Sequence, residues 1–298
     1  MQIFSKKKYG KTREISILGL KFKYRKGKDY KIANIQSSGI TSEKRNPKVI
    51  ISLTSFPARI EHVYKTIISL LDQTFKPDML ILWLAEEQFP NKENDLPESL
   101  KQLCKYGLSI EWCNDIRSFK KLIPTLKKYP DDIIVTVDDD VYYDRKMLEL
   151  LYQSYVKNPE YIHCHRCTYI YYKKGEINAK IGGKKYYNYP SFANKLTGVG
   201  GVLYPPHSFY KDITNEKLFM TLTPTNDDVW FWMMAVLNDK KICVIKDNIP
   251  QPIGIEETLD GPCLTKINDH GDKLFYRDLK KIFGYYKGLE EKIKSDIR

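Results

Sequence analysis

The segment that decides the fold lies near the middle of the chain, where residues 133–144 read IIVTVDDDVYYD. Apolar and β-branched residues run without interruption over 133–137, which predicts a strand buried on both faces. Three consecutive aspartates, Asp138, Asp139 and Asp140, follow that strand. Carboxylates this close repel one another in a dry environment, and their pKa values rise. Such a cluster is stabilised when cations approach it, so this strand end is a candidate ligand site.

The segments before this strand alternate between apolar strands and helices. Strands are predicted at 48–56, 79–85, 108–113 and 132–137, and helices at 60–74, 97–106 and 118–129. Near-continuous apolar strands separated by helices indicate a mostly parallel sheet with helices on both faces. Ligands of such sheets bind beyond the carboxyl ends of the strands, which is where the three aspartates lie.

The composition limits the classes of protein to consider. The chain has 298 residues, of which 42% are hydrophobic, enough for a large core. It has no apolar run near the roughly 18 residues that cross a bilayer, and no segment with the features of a secretory signal. We therefore expect a globular protein in the cytoplasm.

The formal net charge of +12 is concentrated at the N-terminus. Residues 1–31 contain 11 lysines and arginines against 2 acidic residues, which accounts for +9 of that charge. Apolar residues are interleaved with lysines there, as in ISILGLKFKYRK. Both anionic membranes and nucleic acids attract such a segment. No nucleic-acid-binding motif accompanies it, so we expect a membrane surface and no nucleic acid, with a solvated, partly disordered tail as the alternative.

The six cysteines do not indicate a disulfide framework, because they are few and scattered. One cluster, HCHRC at 163–167, has the residue types of a zinc site, but no second pair follows at ligand spacing. We interpret the cysteines as buried thiols of a reducing compartment, with zinc as the less favoured alternative.

The aspartate cluster itself favours a hard divalent cation. Along an extended strand Asp138 and Asp140 project to one side and Asp139 to the other. Two carboxylates on one side suit Mg²⁺ or Mn²⁺, which keep further positions for water and a substrate diphosphate. The alternative is a cluster that only caps the loop and binds no metal.

The order of the elements resembles a known fold. The sequence VIISLTSFPARIEHVYKTIISLLDQTFKPDMLILWL at 49–84, followed by DIIVTVDDDVYYD at 132–144, is similar to the nucleotide-binding half of GT-A glycosyltransferases. It is closest to the bacterial family 2-like enzymes of polysaccharide and lipopolysaccharide assembly, including capsule. The acidic cluster matches the DxD motif of that family. The resemblance is well ordered over 48–144 and looser to about residue 272.

The resemblance implies a GT-A, Rossmann-like α/β fold in a single catalytic domain. We assign residues 1–46 to a basic N-terminal extension and linker, and 47–272 to the catalytic domain. That domain divides into a nucleotide-sugar half at 47–144 and an acceptor half at 145–272. Residues 273–298 are predicted to form a C-terminal amphipathic basic helix.

The resemblance also implies roles on the donor side. Asp140 would be the direct metal ligand, and Asp138 would reach the metal or the ribose. Lys121 would steady the diphosphate, with a solvated helix lysine as the alternative. The candidate donor-binding residues are Thr54, Ser55, Phe56, Arg59, Lys121, Asp138 and Asp139. The usual proline-threonine-aromatic-asparagine wording of the family is absent at 54–59.

On the acceptor side the resemblance points to Asp227 and Asp228. They open a predicted helix after the glycine-rich turn LTGVGG, with Thr225 or Asn226 as N-cap. An acceptor hydroxyl must lose a proton as it attacks, and Asp228 is preferred over Asp227 as the base. The helix N-terminus favours the ionised form of this base. The alternative is that both aspartates only cap the helix.

Two further features complete the candidate site. His270, in INDHGDKLF, matches the late histidine that completes the metal shell in several enzymes of this fold, with an ordinary surface histidine as the alternative. The tyrosine-rich stretch 169–189 offers ring faces for stacking on sugars, although ordinary tyrosines would give the same count.

These features together predict a metal-dependent glycosyltransferase. It would move a sugar from a nucleotide donor, expected to be a UDP-sugar, to a saccharide or lipid-linked saccharide acceptor, with inversion favoured. Mn²⁺ or Mg²⁺ would be the cofactor, and the enzyme would lie peripherally at the inner face of the membrane. One alternative is a sugar-phosphate nucleotidyltransferase, disfavoured because TSFPARIEH lacks glycine and has one basic arginine. The other is a membrane-docked saccharide-binding module without activity.

Overall fold

The computed structural model describes residues 4–9, 12–17, 20–25, 32–181, 189–246, 248–262, 264, 268 and 274–297, with the backbone alone over 4–25. Its strands are β1 Phe4–Tyr9, β2 Thr12–Ile17, β3 Leu20–Arg25, β4 Val49–Thr54, β5 Met79–Ala85, β6 Leu108–Cys113, β7 Ile133–Thr136, β8 Val141–Tyr142, β9 Ile162–Cys164, β10 Cys167–Lys173, β11 Glu176–Ile181, β12 Asn194–Leu196, β13 Val202–Tyr204, β14 Ile242–Val244 and β15 Ile253–Gly254. Its α-helices are α1 Val63–Leu71, α2 Glu98–Lys101, α3 Ile123–Lys128, α4 Met147–Lys157, α5 Glu216–Leu222, α6 Asp227–Leu237, α7 Leu274–Tyr285 and α8 Leu289–Ser295.

A mostly parallel sheet forms the centre of the molecule. Over the described ranges it has seven strands in the order β14-β9-β13-β7-β4-β5-β6. Strands β7, β4, β5 and β6 are mutually parallel, and β14 runs parallel to β9. Strand β13 runs antiparallel to both of its neighbours. The predicted α/β class and mostly parallel sheet are confirmed.

Alternation along the central strands places the core on both faces of this sheet. In β7, Ile133 and Val135 pack into one apolar cluster with α1 and α4, whereas Ile134 packs into the other, with α6 and the C-terminal helices. In a strand, successive side chains point to opposite faces. A strand covered on both sides must therefore be apolar at every position, which explains why IIVTV shows no polar alternation.

The strand order creates a crevice where the chain changes direction across the sheet. From β4 the chain adds β5 and β6 on one side, and then returns to add β7 on the other side of β4. At such a switch point, the loops after the two neighbouring strands diverge and leave room for a ligand. The loop after β4 carries Ser55 and Arg59, and the loop after β7 carries the three aspartates.

Most predicted elements of the nucleotide-sugar half are found within a few residues of their predicted bounds. Strands β5 and β6 match at both ends, and Gly107, with φ of 109°, ends the helical segment before β6 as expected. The predicted helix at 118–129 divides into a 3-10 turn, Arg117–Lys121, and α3. Pro124 lies at the start of α3, where a missing backbone N–H costs no hydrogen bond.

The segment predicted as a linker is attached to the domain. The Gly39 N–H donates to the Tyr106 carbonyl at 2.7 Å, and Arg45 pairs with Asp78 at 3.0 Å. Ahead of it, the backbone of β1, β2 and β3 pairs antiparallel in a sheet separate from the central one. The described residues of the extension between positions 4 and 25 therefore form strands rather than irregular chain.

The single helix predicted at 273–298 is wrong: α7 and α8 are separate, and Gly288, with φ of 81°, lies between them. Their apolar residues, among them Leu279, Ile282 and Ile293, are buried in the core against α6. The amphipathic pattern therefore serves packing inside the protein. None of the helices in the described part of the chain combines the length and apolar character that crossing a bilayer requires.

The tyrosine-rich stretch at 169–189, for which the sequence indicates no regular element, contains a hairpin in its described part. Strands β10 and β11 pair antiparallel, and Lys173 faces Glu176 across a two-residue turn. Lys174 and Gly175 form that turn with positive φ of 52° and 79°, the geometry that matches strand twist.

Candidate active site

The three adjacent aspartates separate according to their surroundings. Strand β7 ends at Thr136, so Asp138 to Asp140 follow it in a bend rather than in an extended strand. Asp139 is 5% exposed and turns into the protein, where its Oδ2 accepts a hydrogen bond from Ser55 Oγ at 2.6 Å. The side chains of Asp138 and Asp140 keep 29% and 24% exposure at the crevice. Asp139 therefore points away from Asp138 and Asp140, as predicted, but the cause is the bend and the hydrogen bond from Ser55 rather than an extended strand.

Arg59 connects the loop after β4 to this cluster. Its Nη1 lies 2.6 Å from Asp139 Oδ1 and 3.0 Å from Asp140 Oδ2. Its Nη2 donates to the Pro262 carbonyl at 3.0 Å. The guanidinium thus offsets part of the charge of two carboxylates and joins two loops of the crevice, which is why like charges are tolerated there.

Lys121 connects the strand-end cluster to the aspartates at the start of α6. Its Nζ lies 2.9 Å from Asp138 Oδ1, 2.7 Å from Asp227 Oδ2 and 3.9 Å from Asp228 Oδ1. The side chain is 7% exposed, so it is not the solvated helix lysine of the alternative interpretation. One buried ammonium group therefore holds together two acidic segments that are about ninety residues apart in sequence.

Gly198 is placed where these groups meet. Its N–H donates to Asp228 Oδ2 at 2.9 Å. A Cβ at this position would lie 2.8 Å from Asp228 Oδ1, 2.9 Å from Lys121 Nζ and 3.4 Å from Asp138 Oδ1. The first two distances are too short for a real Cβ contact, so any larger residue here would displace the Asp228 or the Lys121 side chain.

The two aspartates of α6 differ in exposure. The Asp227 side chain is 8% exposed and lies against Lys121, whereas Asp228 is 23% exposed. The helix begins with Asn226 as N-cap, but the Asn226 side chain does not cap it and instead donates to the buried carboxylate of Asp278. Asp228 is thus the member of the pair with access to the crevice.

Burial controls the ionisation of the acidic side chains. It raises the pKa of Asp138 and Asp228, and Lys121 opposes that shift without cancelling it. Burial likewise raises the pKa of Asp140 against the opposing effect of Arg59. At Asp228 the loss of solvent is the largest influence on the pKa, so the expected contribution of the helix N-terminus to ionisation stays a prediction.

For the Lys121 ammonium group, the neighbouring charges outweigh burial in setting the pKa. Burial alone would lower the pKa of Lys121, but Asp138, Asp227 and Asp228 outweigh it and raise that pKa well above its ordinary value. Lys121 therefore stays charged at every pH at which the protein would work.

The oxygen atoms at the crevice fit a divalent cation. Asp138 and Asp140 offer partly exposed carboxylates, the ligand type that Mg²⁺ and Mn²⁺ prefer. Within the described residues no three or more His, Cys, Asp or Glu side chains converge as a full ligand set, so water and a diphosphate would have to complete the shell. Five carboxylates contact two cationic side chains among the described residues, so the ionised cluster keeps an excess of negative charge. A divalent cation would offset most of that excess.

The remaining predicted residues are distributed around this centre. Thr54 Oγ1 donates to the Trp83 carbonyl at 2.8 Å, and Ser55 is buried on Asp139, so both hydroxyls have protein partners. The Phe56 ring lies 5.5 Å from the Arg59 guanidinium, beside the crevice. His270 lies outside the described residues. The nucleoside-contact and metal-ligand assignments stay predictions.

The histidines of HCHRC have structural hydrogen bonds. His163 bonds to Ser154 Oγ and to the Asn158 carbonyl, each through one ring nitrogen. His165 bonds to Asn248 Oδ1 and to the Met147 carbonyl. Each of the four ring nitrogens thus has a protein partner, which explains these residues without a metal.

Sequence reasoning missed several groups that shape the site. The Tyr143 hydroxyl accepts the Asp138 N–H at 2.8 Å, and Thr66 Oγ1 donates to the carbonyls of Asp139 and Val141. Asp278 supports the residue that precedes Asp227. Thr66 and Asp278 act across more than fifty residues of sequence, so no local pattern could have revealed them.

Comparison with known proteins supports the fold. No protein family and no curated protein sequence matches the chain. Among solved structures, the chain is similar to TarS 1–349 of S. aureus in complex with UDP, with a TM-score of 0.51 and 12% identity over 82% of this chain and 68% of that one. A second structure of TarS 1–349 gives a TM-score of 0.49 at 13% identity, over 80% and 73%.

A third similar structure is the mannosyltransferase PcManGT from Pyrobaculum calidifontis in complex with GDP-Man and Mn²⁺, with a TM-score of 0.45 and 10% identity over 76% of this chain and 60% of that one. At these identities the likeness to TarS establishes the fold alone. The chain has the GT-A glycosyltransferase fold.

Proposed function

We propose that this protein is a metal-dependent glycosyltransferase that moves a sugar from a nucleoside diphosphate donor to a saccharide or lipid-linked saccharide. The observation that carries the proposal is the meeting of Asp138, Asp227 and Asp228 on Lys121, beside Asp140, at the switch point of a GT-A sheet. The similar structure of TarS 1–349 is in complex with UDP, which supports a UDP-sugar as the donor here.

The donor side would be held at the strand-end cluster. Asp138 and Asp140 would hold Mn²⁺ or Mg²⁺, which when bound offsets charge on the departing nucleoside diphosphate. Arg59 would contact the phosphates or the base while keeping Asp140 in place. Thr54, Ser55 and Phe56 would border the nucleoside at the end of β4.

The acceptor side would depend on Asp228. Its carboxylate is fixed by the Gly198 N–H on one oxygen and faces the crevice with the rest of its exposed surface. A carboxylate with a raised pKa is a stronger base when ionised, which suits removal of a proton from an attacking hydroxyl. Attack assisted by such a base is the single displacement that inverts the anomeric centre, so we propose inversion. Asp227 would position Lys121 rather than take the proton.

The biological setting is proposed from the sequence. The basic N-terminal strands would hold the enzyme peripherally on the inner face of the membrane, close to an acceptor of cell-surface polysaccharide synthesis, as for lipopolysaccharide or capsule. The buried apolar faces of α7 and α8 leave this role to the N-terminal extension.

Slow donor hydrolysis tests the function directly. We expect the purified full chain to release nucleoside diphosphate from one member of a panel of UDP- and GDP-sugars when MnCl₂ or MgCl₂ is present, and to stop when EDTA is added. Turnover of a nucleoside triphosphate with a sugar phosphate would instead indicate a nucleotidyltransferase. Binding of saccharide without hydrolysis of any donor would indicate a binding module.

A further inference from the structure

A second concave site lies away from the aspartates, between the β10–β11 hairpin and the C-terminal segment. It is a cavity of about 650 Å³, within the range of small-ligand sites. Its lining includes Tyr169, Tyr171, Tyr172, Lys173, Lys180 and Lys294. Among the described residues that line it there are three lysines and no carboxylate, and Glu290 and Glu291 lie next to Tyr172. The wall is therefore aromatic and carries more lysines than neighbouring carboxylates.

The chemistry of this wall selects a particular kind of ligand. Tyrosine rings present apolar faces to the C–H surface of a sugar and hydroxyls to its rim. Ammonium groups attract phosphate or carboxylate groups. The Lys294 Nζ lies 4.8 Å from the centre of the Tyr172 ring and 3.0 Å from Glu290 Oε1, so ring and cation act on the same volume.

Only a short run of strand separates the cavity from the crevice along the chain. Tyr169 on β10 faces Asn194 on β12, and Gly198 follows Asn194 by four residues. Four residues span at most about 14 Å. Between them Lys195 is close enough to lower the pKa of Asp228. A chain of sugars reaching from Asp228 along β12 would therefore meet the cavity several units away.

We propose that this cavity binds an anionic stretch of the acceptor, a saccharide carrying phosphate or carboxylate groups, several units from the hydroxyl that reacts. The identification of this ligand as the acceptor rests on the proposed function. The binding itself depends only on the tyrosines and lysines of the cavity.

The test compares two matched triple variants of the full chain. One carries Lys173→Gln, Lys180→Gln and Lys294→Gln in the cavity. The control carries Lys92→Gln, Lys101→Gln and Lys128→Gln, three surface lysines that each pair with a glutamate, as Lys294 does. Both lose the same charge, so a non-specific effect of net charge affects them equally.

Binding of tetragalacturonate, maltotetraose and tripolyphosphate is measured by calorimetry at low and moderate salt. We expect the wild type and the control to bind tetragalacturonate most tightly, and the cavity variant to lose about tenfold in affinity. Tyr171→Phe should keep that affinity, whereas Tyr171→Leu should lower it about threefold because the stacking face is gone.

Three outcomes would overturn the proposal. Equal losses in the two triple variants would show that the cavity plays no part. Equal binding of tripolyphosphate and tetragalacturonate would show an anion site without saccharide recognition. Phosphatidylglycerol vesicles that displace tetragalacturonate from the wild type, and that do not bind the cavity variant, would show that the lysines contact a membrane surface instead.

Donor hydrolysis by the same variants separates this proposal from the proposed function. We expect the cavity variant to hydrolyse the donor at the wild-type rate, because none of its changes touches the aspartates. If no donor is hydrolysed by any variant while tetragalacturonate binding follows the pattern above, the function fails and the saccharide site remains.

Discussion

The two acidic segments of the crevice solve the same electrostatic problem in different ways. The aspartates after β7 lie at an open edge, where Arg59 contacts two of them and two keep about a quarter of their surface in solvent. Those at the start of α6 depend on Lys121 and a backbone N–H, and one of them is almost fully buried. The first, which we call the open cluster, presents two partly exposed carboxylates that can accept a further cation. The second, the closed pair, presents one partly exposed carboxylate, Asp228, whose position the Gly198 N–H fixes. We therefore propose donor binding for the first and proton transfer for the second.

The largest effect is expected at the open cluster. Asp140→Ala should abolish transfer and also the strengthening of UDP binding by MnCl₂, because the carboxylate that would hold the ion is removed. Calorimetry of UDP with and without MnCl₂ measures this. Metal-dependent turnover that survives in Asp140→Ala would mean that the two segments have been assigned the wrong tasks.

At the closed pair, substitution of Asp228 is expected to lower turnover without changing donor binding. Asp228→Asn keeps the hydrogen bond from Gly198 but cannot take a proton, so kcat should fall about 10²- to 10⁴-fold with donor affinity unchanged. In the wild type, the rate should fall as pH drops through the raised pKa of Asp228, above the ordinary value of about 3.9. That acid limb should be absent from the pH profile of the variant. Asp227→Asn is the control, and a larger kcat loss there would exchange the roles of the two residues.

Lys121→Met removes the group that both segments share. The variant should lose about 3–5 kcal/mol of unfolding free energy at neutral pH, because a buried ion partner disappears while its carboxylates stay. Without Lys121, the pKa values of the carboxylates that contact it would rise further. An acid whose pKa is higher in the folded than in the unfolded protein lowers the unfolding free energy only at pH values above its unfolded pKa. Urea unfolding should therefore show a smaller loss near pH 4 than at pH 7.5. An equal loss at both pH values would mean that packing, not charge, explains the role of Lys121.

The smallest effect is expected from Gly198→Ala. The added methyl group would approach Asp228 Oδ1 and Lys121 Nζ at under 3.0 Å, so one of them must shift. We expect about a tenfold loss of kcat with the fold retained, measured beside circular dichroism. Gly175→Ala, with open space around its Cβ, controls for loss of a glycine in a turn, although its positive φ adds local strain. A Gly198→Ala enzyme with full activity would place the reacting hydroxyl elsewhere.

Most features that depend on residues close together in sequence were predicted correctly, whereas features that depend on contacts between distant residues were not. Strands β4 to β7 were predictable because a strand covered on both faces must be apolar along its length. Asp138 to Asp140 were found because the signal is contiguous and ends such a strand. Asp228 was identified only through the resemblance to GT-A enzymes. The hairpin at Lys174 was missed because the first residue of its turn has positive φ but is a lysine, which does not signal such a turn as glycine would.

The sequence alone determined the order of strands and helices over residues 48–137 and the edge of the sheet at which acidic residues collect, since both follow from local periodicity and from the direction of parallel strands. Only the tertiary structure decided that Lys121 is shared by Asp138 and Asp227, that Asp139 turns inward to Ser55, and that the C-terminal helices pack into the core. The physical reason is that charge pairing and burial depend on neighbours that the chain brings together from far apart, and periodicity carries no information about them.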